Sequence, residues 1–186
     1  RLRTQAQEMR RSDGRSFEPG TWTGPETTLG FPLEGAGMSE HRAKIHWNRQ
    51  GKEFAIKEYS REHSWTFEGG IEVRASSAPT YLGDPALVNP EEAFVAALSS
   101  CHMLTFLALA ARDGLVVDDY EDHALGYMER NAQKRIAITR VTLSPKISWG
   151  SEPPSQEKLD ELHEKAHKHC FIANSVTTEI TVEAPA

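Results

Sequence analysis

The sequence predicts an α+β domain in which an antiparallel sheet wraps a long buried central helix. A strongly apolar helical segment runs from about residue 90 to residue 112. Segments in which apolar and polar residues alternate, as they do in half-buried strands, lie on both sides of this helix. Helices do not alternate regularly with these strands, which argues against a parallel βαβ arrangement and favours an antiparallel sheet.

Residues 1–37 differ from the rest of the chain. They contain six glycines and three prolines without sustained periodicity, and such a segment buries too little apolar surface to offset its ordering entropy. We therefore expect residues 1–37 to be an extension and residues 38–186 to form the domain.

Within the domain, alternation predicts strands before and after the long helix. The predicted strands cover residues 43–47, 54–59, 63–67, 71–75, 123–131, 135–149 and 176–182.

Two helices have recognisable ends. Asn89 is a good N-cap for the first, Pro90 suits its first position, and Glu92 completes a capping box. Gly114 favours a left-handed C-terminal turn and ends this helix. Ser155 caps a second helix that ends at Cys170.

Composition narrows the class of protein. The formal net charge is −6 with acidic and basic residues mixed, which argues against a nucleic-acid footprint. Ser99, His102 and Thr105 interrupt the apolar run, so we interpret it as a core helix and expect no membrane span. No secretory signal is recognisable, so we expect a cytoplasmic protein whose two cysteines are reduced or catalytic.

Cys101 lies in the middle of the first helix. It projects within about 20° of Phe94 and Ala108, so it belongs to an apolar stripe. A buried small hydrophobe is the ordinary interpretation of such a cysteine. A reactive thiolate at this position needs a nearby cation, because the helix N-terminus is too far away to help.

Cys170 ends the second helix. Together with Leu159, Leu162 and Ala166 it forms the inward face of that helix. It lies at the C-terminal end, where the helix dipole disfavours a thiolate. If the two cysteines do redox work, Cys101 attacks and Cys170 resolves.

Glu91 has two interpretations. An acid in the first helical turn simply suits the helix dipole. It is also positioned to anchor an arginine that activates a thiolate. Ten helical residues separate it from Cys101 by about 15 Å, too far for one guanidinium to bridge. A site containing both therefore requires a Glu91 from a second subunit, which predicts a dimer.

A metal site and a Cys–His hydrolase are the two alternatives to redox chemistry at the cysteines. His102, His167, His169 and the two cysteines are metal-ligating residue types, but their spacing matches no zinc signature. A Cys–His hydrolase with Cys101 as nucleophile lacks an elbow or oxyanion motif. We expect no metal and no cofactor.

The sequence resembles the OsmC/Ohr family (osmotically inducible protein C and organic hydroperoxide resistance protein). The resemblance lies in Asn-Pro-Glu-Glu at 89–92, the Ala-rich helix that reaches Ala-Ala-Leu-Ser-Ser-Cys at 96–101, and the helix ending at Cys170 before a final strand. It covers about residues 40–184.

The resemblance implies a thiol peroxidase that reduces organic hydroperoxides in a stress response. Cys101 corresponds to the peroxidatic cysteine, Cys170 to the resolving cysteine, and Glu91 to the acidic partner of an activating arginine. It also implies an intertwined homodimer, and a dithiol reductant such as a dihydrolipoyl group.

The family arginine is Arg61 by our first assignment and Arg74 by our second. The chain departs from the family pattern at Phe171, where many members have Pro, and at His102, where many have an aromatic residue. We expect His102 to be an unperturbed imidazole pointing away from the site. These departures motivate an alternative function, a non-catalytic binding protein for a hydrophobic ligand.

Overall fold

The computed structural model describes residues 39–183. The predicted extension over residues 1–37 lies outside the described residues. Two helices are present in the described part, α1 (Pro90–Arg112) and α2 (Gln156–His169). The strands are β1 (Ala43–His46), β2 (His63–Phe67), β3 (Glu72–Ala75), β4 (Val117–Asp122), β5 (Leu125–Arg130), β6 (Ile136–Leu143), β7 (Pro145–Trp149) and β8 (Glu179–Val182).

The strands form three small sheets. β1, β2 and β3 are antiparallel neighbours, β4 pairs with β7, and β5, β6 and β8 lie side by side. The pairing is antiparallel throughout except between β6 and β8, which run parallel. The α+β class with antiparallel sheets is confirmed. Strand β8 is the exception, because the chain passes through α2 before it returns beside β6.

Two strand predictions differ from the structure, and one strand was missed. Residues 54–59 form turns, with the Tyr59 amide donating to the Ala55 carbonyl. Strand β4 was not predicted, because its sequence is mostly acidic and lacks apolar alternation. The single strand predicted over 135–149 is two strands, β6 and β7, which separate at Ser144.

Helix α1 is the centre of the fold. Leu98 packs against Val141 and Leu143 of β6, while Phe106 and Leu109 form a second cluster with α2. Its opposite face is open in the single chain, where Leu104 is 57% exposed. By length and composition α1 also meets the requirement for crossing a membrane, a test that core helices of globular proteins pass as well.

Helix α2 runs antiparallel along α1. Lys158 near the start of α2 forms a 2.7 Å ion pair with Asp113, which caps the end of α1. Cys101 and Cys170 each lie twelve residues from this ion pair along their own segments. The antiparallel arrangement therefore brings the middle of α1 to the C-terminal end of α2.

The sheet of β1, β2 and β3, which we call the N-terminal sheet, has little support from the rest of the chain. In the described residues, a single parallel bridge between Ala75 and Val88 is its only strand pairing with later parts. Several apolar side chains of this region are largely exposed, including Ile45, Phe54, Ile56 and Ile71. Exposed apolar surface of this extent is typical of an interface.

Candidate functional site

The fold brings the two cysteines together. Cys101 lies half-buried in the middle of α1, and Cys170 is the buried C-cap residue of α2. The thiol of Cys101 interacts directly with that of Cys170. Both thiols are free, so a dithiol occupies the junction of the two helices.

The turn after α2 holds both sulfur atoms. The Ile172 amide donates to Cys101 Sγ at 3.5 Å, and the Ala173 amide donates to Cys170 Sγ at 3.3 Å. Burial and the Cys101 thiol raise the pKa of Cys170 to about 11. Cys170 is therefore a neutral thiol at physiological pH. This suits a resolving cysteine, which needs to lose its proton only when it attacks the oxidised sulfur of its partner.

The predicted capping box at the start of α1 is confirmed. The Glu92 amide donates to Asn89 Oδ1 at 2.9 Å, and the Asn89 amide donates to Glu92 Oε2 at 3.1 Å. Glu91 takes no part in this cap. Its Oε2 atom is buried and has no hydrogen-bond partner within residues 39–183. A buried carboxylate oxygen without a donor is costly, so Glu91 is poised to accept one.

The two candidate arginines have different surroundings. Arg74 forms a 2.6 Å ion pair with Glu62. Arg61 donates to the carbonyls of Tyr59 and Ile56, and its guanidinium lies 3.9 Å from the centre of the Tyr59 ring. No carboxylate of the described residues pairs with Arg61, so it retains the capacity to bind one.

Arg61 lies at the same end of α1 as Glu91. It lines a cavity of about 690 Å³ that also reaches Pro90, the residue before Glu91. Trp47, Phe54 and Tyr59 form the aromatic wall of this cavity, with ring centres 5.3 to 6.1 Å apart. Within one chain, however, neither Arg61 nor Glu91 pairs with the dithiol, which lies ten residues further along α1.

His102 does not behave as the sequence suggested. It is buried, and its Nε2 atom lies 3.0 Å from Nδ1 of His163 on α2. Burial, together with His163 and His167, lowers the pKa of His102 to about 4. The prediction of an unperturbed imidazole at His102 is therefore wrong, because α2 covers this side of α1.

His163 itself was missed in the sequence. It follows Leu162 and lies four residues after Leu159, a spacing that indicated the inward side of α2. No group of three or more His, Cys, Asp or Glu residues in the described part is arranged to hold a metal ion. The expectation that the protein uses no metal stays a prediction.

Comparison with known proteins agrees with this architecture. The family model described as "OsmC-like protein" matches residues 83–184. No curated protein matches the chain. A solved OsmC-like protein of unknown function from Vibrio cholerae is 44% identical, with 79% of this chain and 99% of that chain covered and a TM-score of 0.75.

More distant structures share the fold. An organic hydroperoxide resistance protein OsmC from Legionella pneumophila is 16% identical, with 81% of this chain and 99% of that one covered and a TM-score of 0.61. The organic hydroperoxide resistance protein OhrB of Bacillus subtilis is 17% identical, with 78% and 98% covered and a TM-score of 0.57. The Vibrio cholerae relative and the family match together show that this chain belongs to the OsmC-like family.

Proposed function

We propose that the protein is a thiol peroxidase that reduces organic hydroperoxides through Cys101 and Cys170. The observation that supports this proposal is the meeting of two free thiols from different helices, one half-buried and the other fully buried. Relatives of the same fold include proteins named for organic hydroperoxide resistance.

The chemistry needs no cofactor. The Cys101 thiolate attacks one oxygen of the peroxide, the O–O bond breaks, and the released alkoxide takes up a proton to become an alcohol. Two electrons leave the sulfur, and Cys101 becomes a sulfenic acid. The Cys170 thiol then attacks that sulfur, a disulfide forms and water leaves. An external dithiol, for which a dihydrolipoyl group is suited, reduces the disulfide and is itself oxidised.

We further propose that the working site is shared between two chains of a homodimer. Glu91 offers a buried, unpaired carboxylate oxygen, and Arg61 lies at the same end of α1 without a carboxylate partner in the described residues. A second copy running antiparallel along α1 brings this end beside the other chain's Cys101. The arginine then stabilises the attacking thiolate and the carboxylate orients the arginine.

The cavity walls support the proposed substrate class. The side chains of Trp47, Phe54 and Tyr59 suit the apolar body of an alkyl or lipid hydroperoxide better than hydrogen peroxide. Two reduced cysteines, one of them catalytic, also suit the cytoplasm, which we propose as the compartment.

Replacement of each cysteine tests the proposal. We expect Cys101→Ser to abolish dithiol-dependent consumption of cumene hydroperoxide, because the attacking sulfur is gone. Cys170→Ser should consume about one equivalent of peroxide and accumulate sulfenic acid, trapped with a dimedone probe, since nothing resolves it. Circular dichroism of both variants is the control for folding. Unchanged turnover in Cys101→Ser contradicts the proposal.

A second candidate function is a binding protein for a hydrophobic ligand, which the same aromatic cavity favours. Mass spectrometry after one equivalent of peroxide separates the two. Loss of two hydrogens with a Cys101–Cys170 linkage supports the peroxidase. Unmodified thiols, together with saturable binding of an apolar dye that Phe54→Ser removes, support the binding protein.

A further inference from the structure

A pair of histidines joins the two helices that carry the cysteines. His102 follows Cys101 directly on α1, and His163 lies on α2. Their rings are nearly parallel, with an interplanar angle of 9°, and the ring of Phe106 also stacks on His163, with ring centres 4.5 Å apart. His102 is only 2% exposed. The histidine pair therefore belongs to the packed interface between α1 and α2.

The hydrogen bond within the pair depends on its protonation. Nδ1 of His102 is buried and has no partner within the described residues, so a proton there would be an unsatisfied donor. The proton of His102 therefore sits on Nε2 and is donated to Nδ1 of His163. The proton of His163 then sits on its Nε2.

Added protons disrupt this arrangement. A proton on His163 Nδ1 reverses the hydrogen bond and forces the His102 proton onto its buried, unpartnered Nδ1. A second added proton sets two N–H groups against each other and removes the hydrogen bond. Both steps put positive charge between the helices, where burial disfavours it.

The surrounding charges decide where the first proton goes. On α2, the titratable residues near the pair are Asp160, Glu164 and His167. On the sheet side they are Tyr120 and Asp122 of β4. Lys146 of β7 and Glu183, which follows β8, line the same cavity of about 610 Å³ as His163. Asp160 and Asp122 favour a proton on His163 more than on His102, whose other histidine neighbour opposes it.

We propose that His102 and His163 are positioning residues for the dithiol, which hold the Cys101 turn of α1 against the Cys170 end of α2 and release it in acid. The pair lies one residue from Cys101 and seven residues from Cys170. This inference deepens the proposed redox role of the two cysteines. It requires that they form a disulfide and does not require that the oxidant be a peroxide.

The equilibrium between dithiol and disulfide measures the positioning directly. The full-length protein is equilibrated from both directions in glutathione buffers, without peroxide, at pH 7 and pH 5. Exchange between neutral thiols takes up no net protons, so its equilibrium constant does not depend on pH. If Cys101 were a thiolate at pH 7, forming the disulfide would take up a proton, and the disulfide would be more favourable at pH 5. We expect the opposite, an equilibrium constant about twofold lower at pH 5, which corresponds to a potential about 9 mV higher. The effect is this small because burial lowers the pKa of both histidines and leaves the pair only partly protonated at pH 5.

Variants of His163 separate positioning from simple packing. His163→Gln keeps an amide oxygen that accepts from His102 Nε2 but carries no titratable charge. It should resemble the wild type at pH 7 and show no acid dependence. His163→Phe leaves the His102 N–H unpaired and should lower the equilibrium constant about fivefold at pH 7, the effect of roughly 1 kcal/mol.

The double variant His102→Phe/His163→Phe is the control if the single phenylalanine variant does not fold. It keeps the ring packing, removes both titrating groups and should show no acid dependence. A wild type whose disulfide is equally or more favourable at pH 5, or an acid dependence that survives in the double variant, overturns the proposal. Absence of peroxide turnover with these glutathione results intact would reject the peroxidase and leave the positioning role standing.

Discussion

At the residue scale, two adjacent glutamates at the start of α1 have separate tasks. The carboxylate of Glu92 closes the capping box, whereas Glu91 Oε2 is buried without a partner among residues 39–183. A structural carboxylate has its partner inside the fold, so the unpaired one is the stronger candidate for binding an arginine.

Glu91→Gln and Glu92→Gln are a matched pair of variants. We expect Glu91→Gln to lower kcat/KM for cumene hydroperoxide about tenfold or more, about 1.4 kcal/mol of transition-state stabilisation, because the arginine loses its anionic partner. Glu92→Gln keeps an oxygen that accepts from Asn89 and should leave activity unchanged, while loss of its charge at the helix N-terminus costs about 0.3–1 kcal/mol of unfolding free energy. Steady-state kinetics and thermal unfolding check both. Equal loss of activity in the two variants contradicts the assignment of Glu91.

The histidine pair also makes stability depend on pH. His102 titrates near 6.5 when unfolded and at about 4 when folded, so the unfolded chain binds more protons between these values. Stability is therefore fully retained above pH 6.5 and falls as the pH drops towards 4. A pKa that falls from 6.5 to about 4 corresponds to roughly 3 kcal/mol of unfolding free energy.

Urea unfolding at pH 7, 6, 5 and 4 checks this expectation. The variant His102→Phe/His163→Phe should lose markedly less unfolding free energy over the same range, because carboxylates that titrate in both proteins cancel in the comparison. Parallel curves for the two proteins would show that the histidines are not the acid-sensitive groups.

At the scale of elements, local signals predicted the helices well and the strands less well. The capping box of Asn89 and Glu92 and the Ser155 cap fix both helix starts through neighbours in sequence. Strand β4 could not be predicted, because its acidic sequence is stabilised by pairing with β7 some 25 residues later. Residues 54–59 alternate like a strand but turn back so that Phe54 and Tyr59 pack on Trp47.

The candidate site, too, could be predicted only in part from the sequence. Cys101 and Cys170 are identifiable in the sequence from their helical faces. Their proximity depends on the antiparallel contact of α1 and α2, set by side chains such as Lys158 and Asp113 that are far apart along the chain. The inward position of His163 on α2 could have been predicted from its spacing, but its pairing with His102 depends on the same contact between the helices.

The contact of β5 with α1 gives a prediction at this scale. A Cβ added at Gly126 would lie 2.5 Å from Cγ2 of Val95 on α1. We expect Gly126→Ala to lower the unfolding free energy by about 1–3 kcal/mol through overpacking. Gly69→Ala is the matched control, since nothing lies within 4 Å of its added Cβ. Urea unfolding of both variants is the measurement. Equal unfolding free energies for the two variants would show that α1 can shift at Val95 to make room for the added Cβ.

At the scale of the whole molecule, a single chain leaves much apolar surface uncovered. Within residues 39–183, the N-terminal sheet has one bridge to the later chain. Ile45 of this sheet and the neighbouring Phe54 and Ile71 are exposed, as is Leu104 on the free face of α1. The homodimer that we propose would cover these surfaces and account for both features together.

Light scattering coupled to size exclusion measures this assembly. We expect the wild type to elute with twice the mass of one chain, and Leu104→Glu to shift it towards the single chain and lower peroxidase turnover. Leu104→Met keeps the apolar contact and should behave as the wild type. A surface leucine outside any interface would tolerate the charge within about 0.5 kcal/mol, so an unchanged mass in Leu104→Glu contradicts an interface on this face of α1.

The 15 Å of helix between Glu91 and Cys101 has a genetic consequence. If each reaction centre takes its cysteine from one chain and its glutamate from the other, two alleles that are each inactive can complement one another. A chain lacking the glutamate and a chain lacking the cysteine, co-expressed, form mixed pairs that contain one intact centre. Random pairing of equal amounts leaves about a quarter of all centres intact, so cells carrying both lesions regain resistance that neither lesion alone permits.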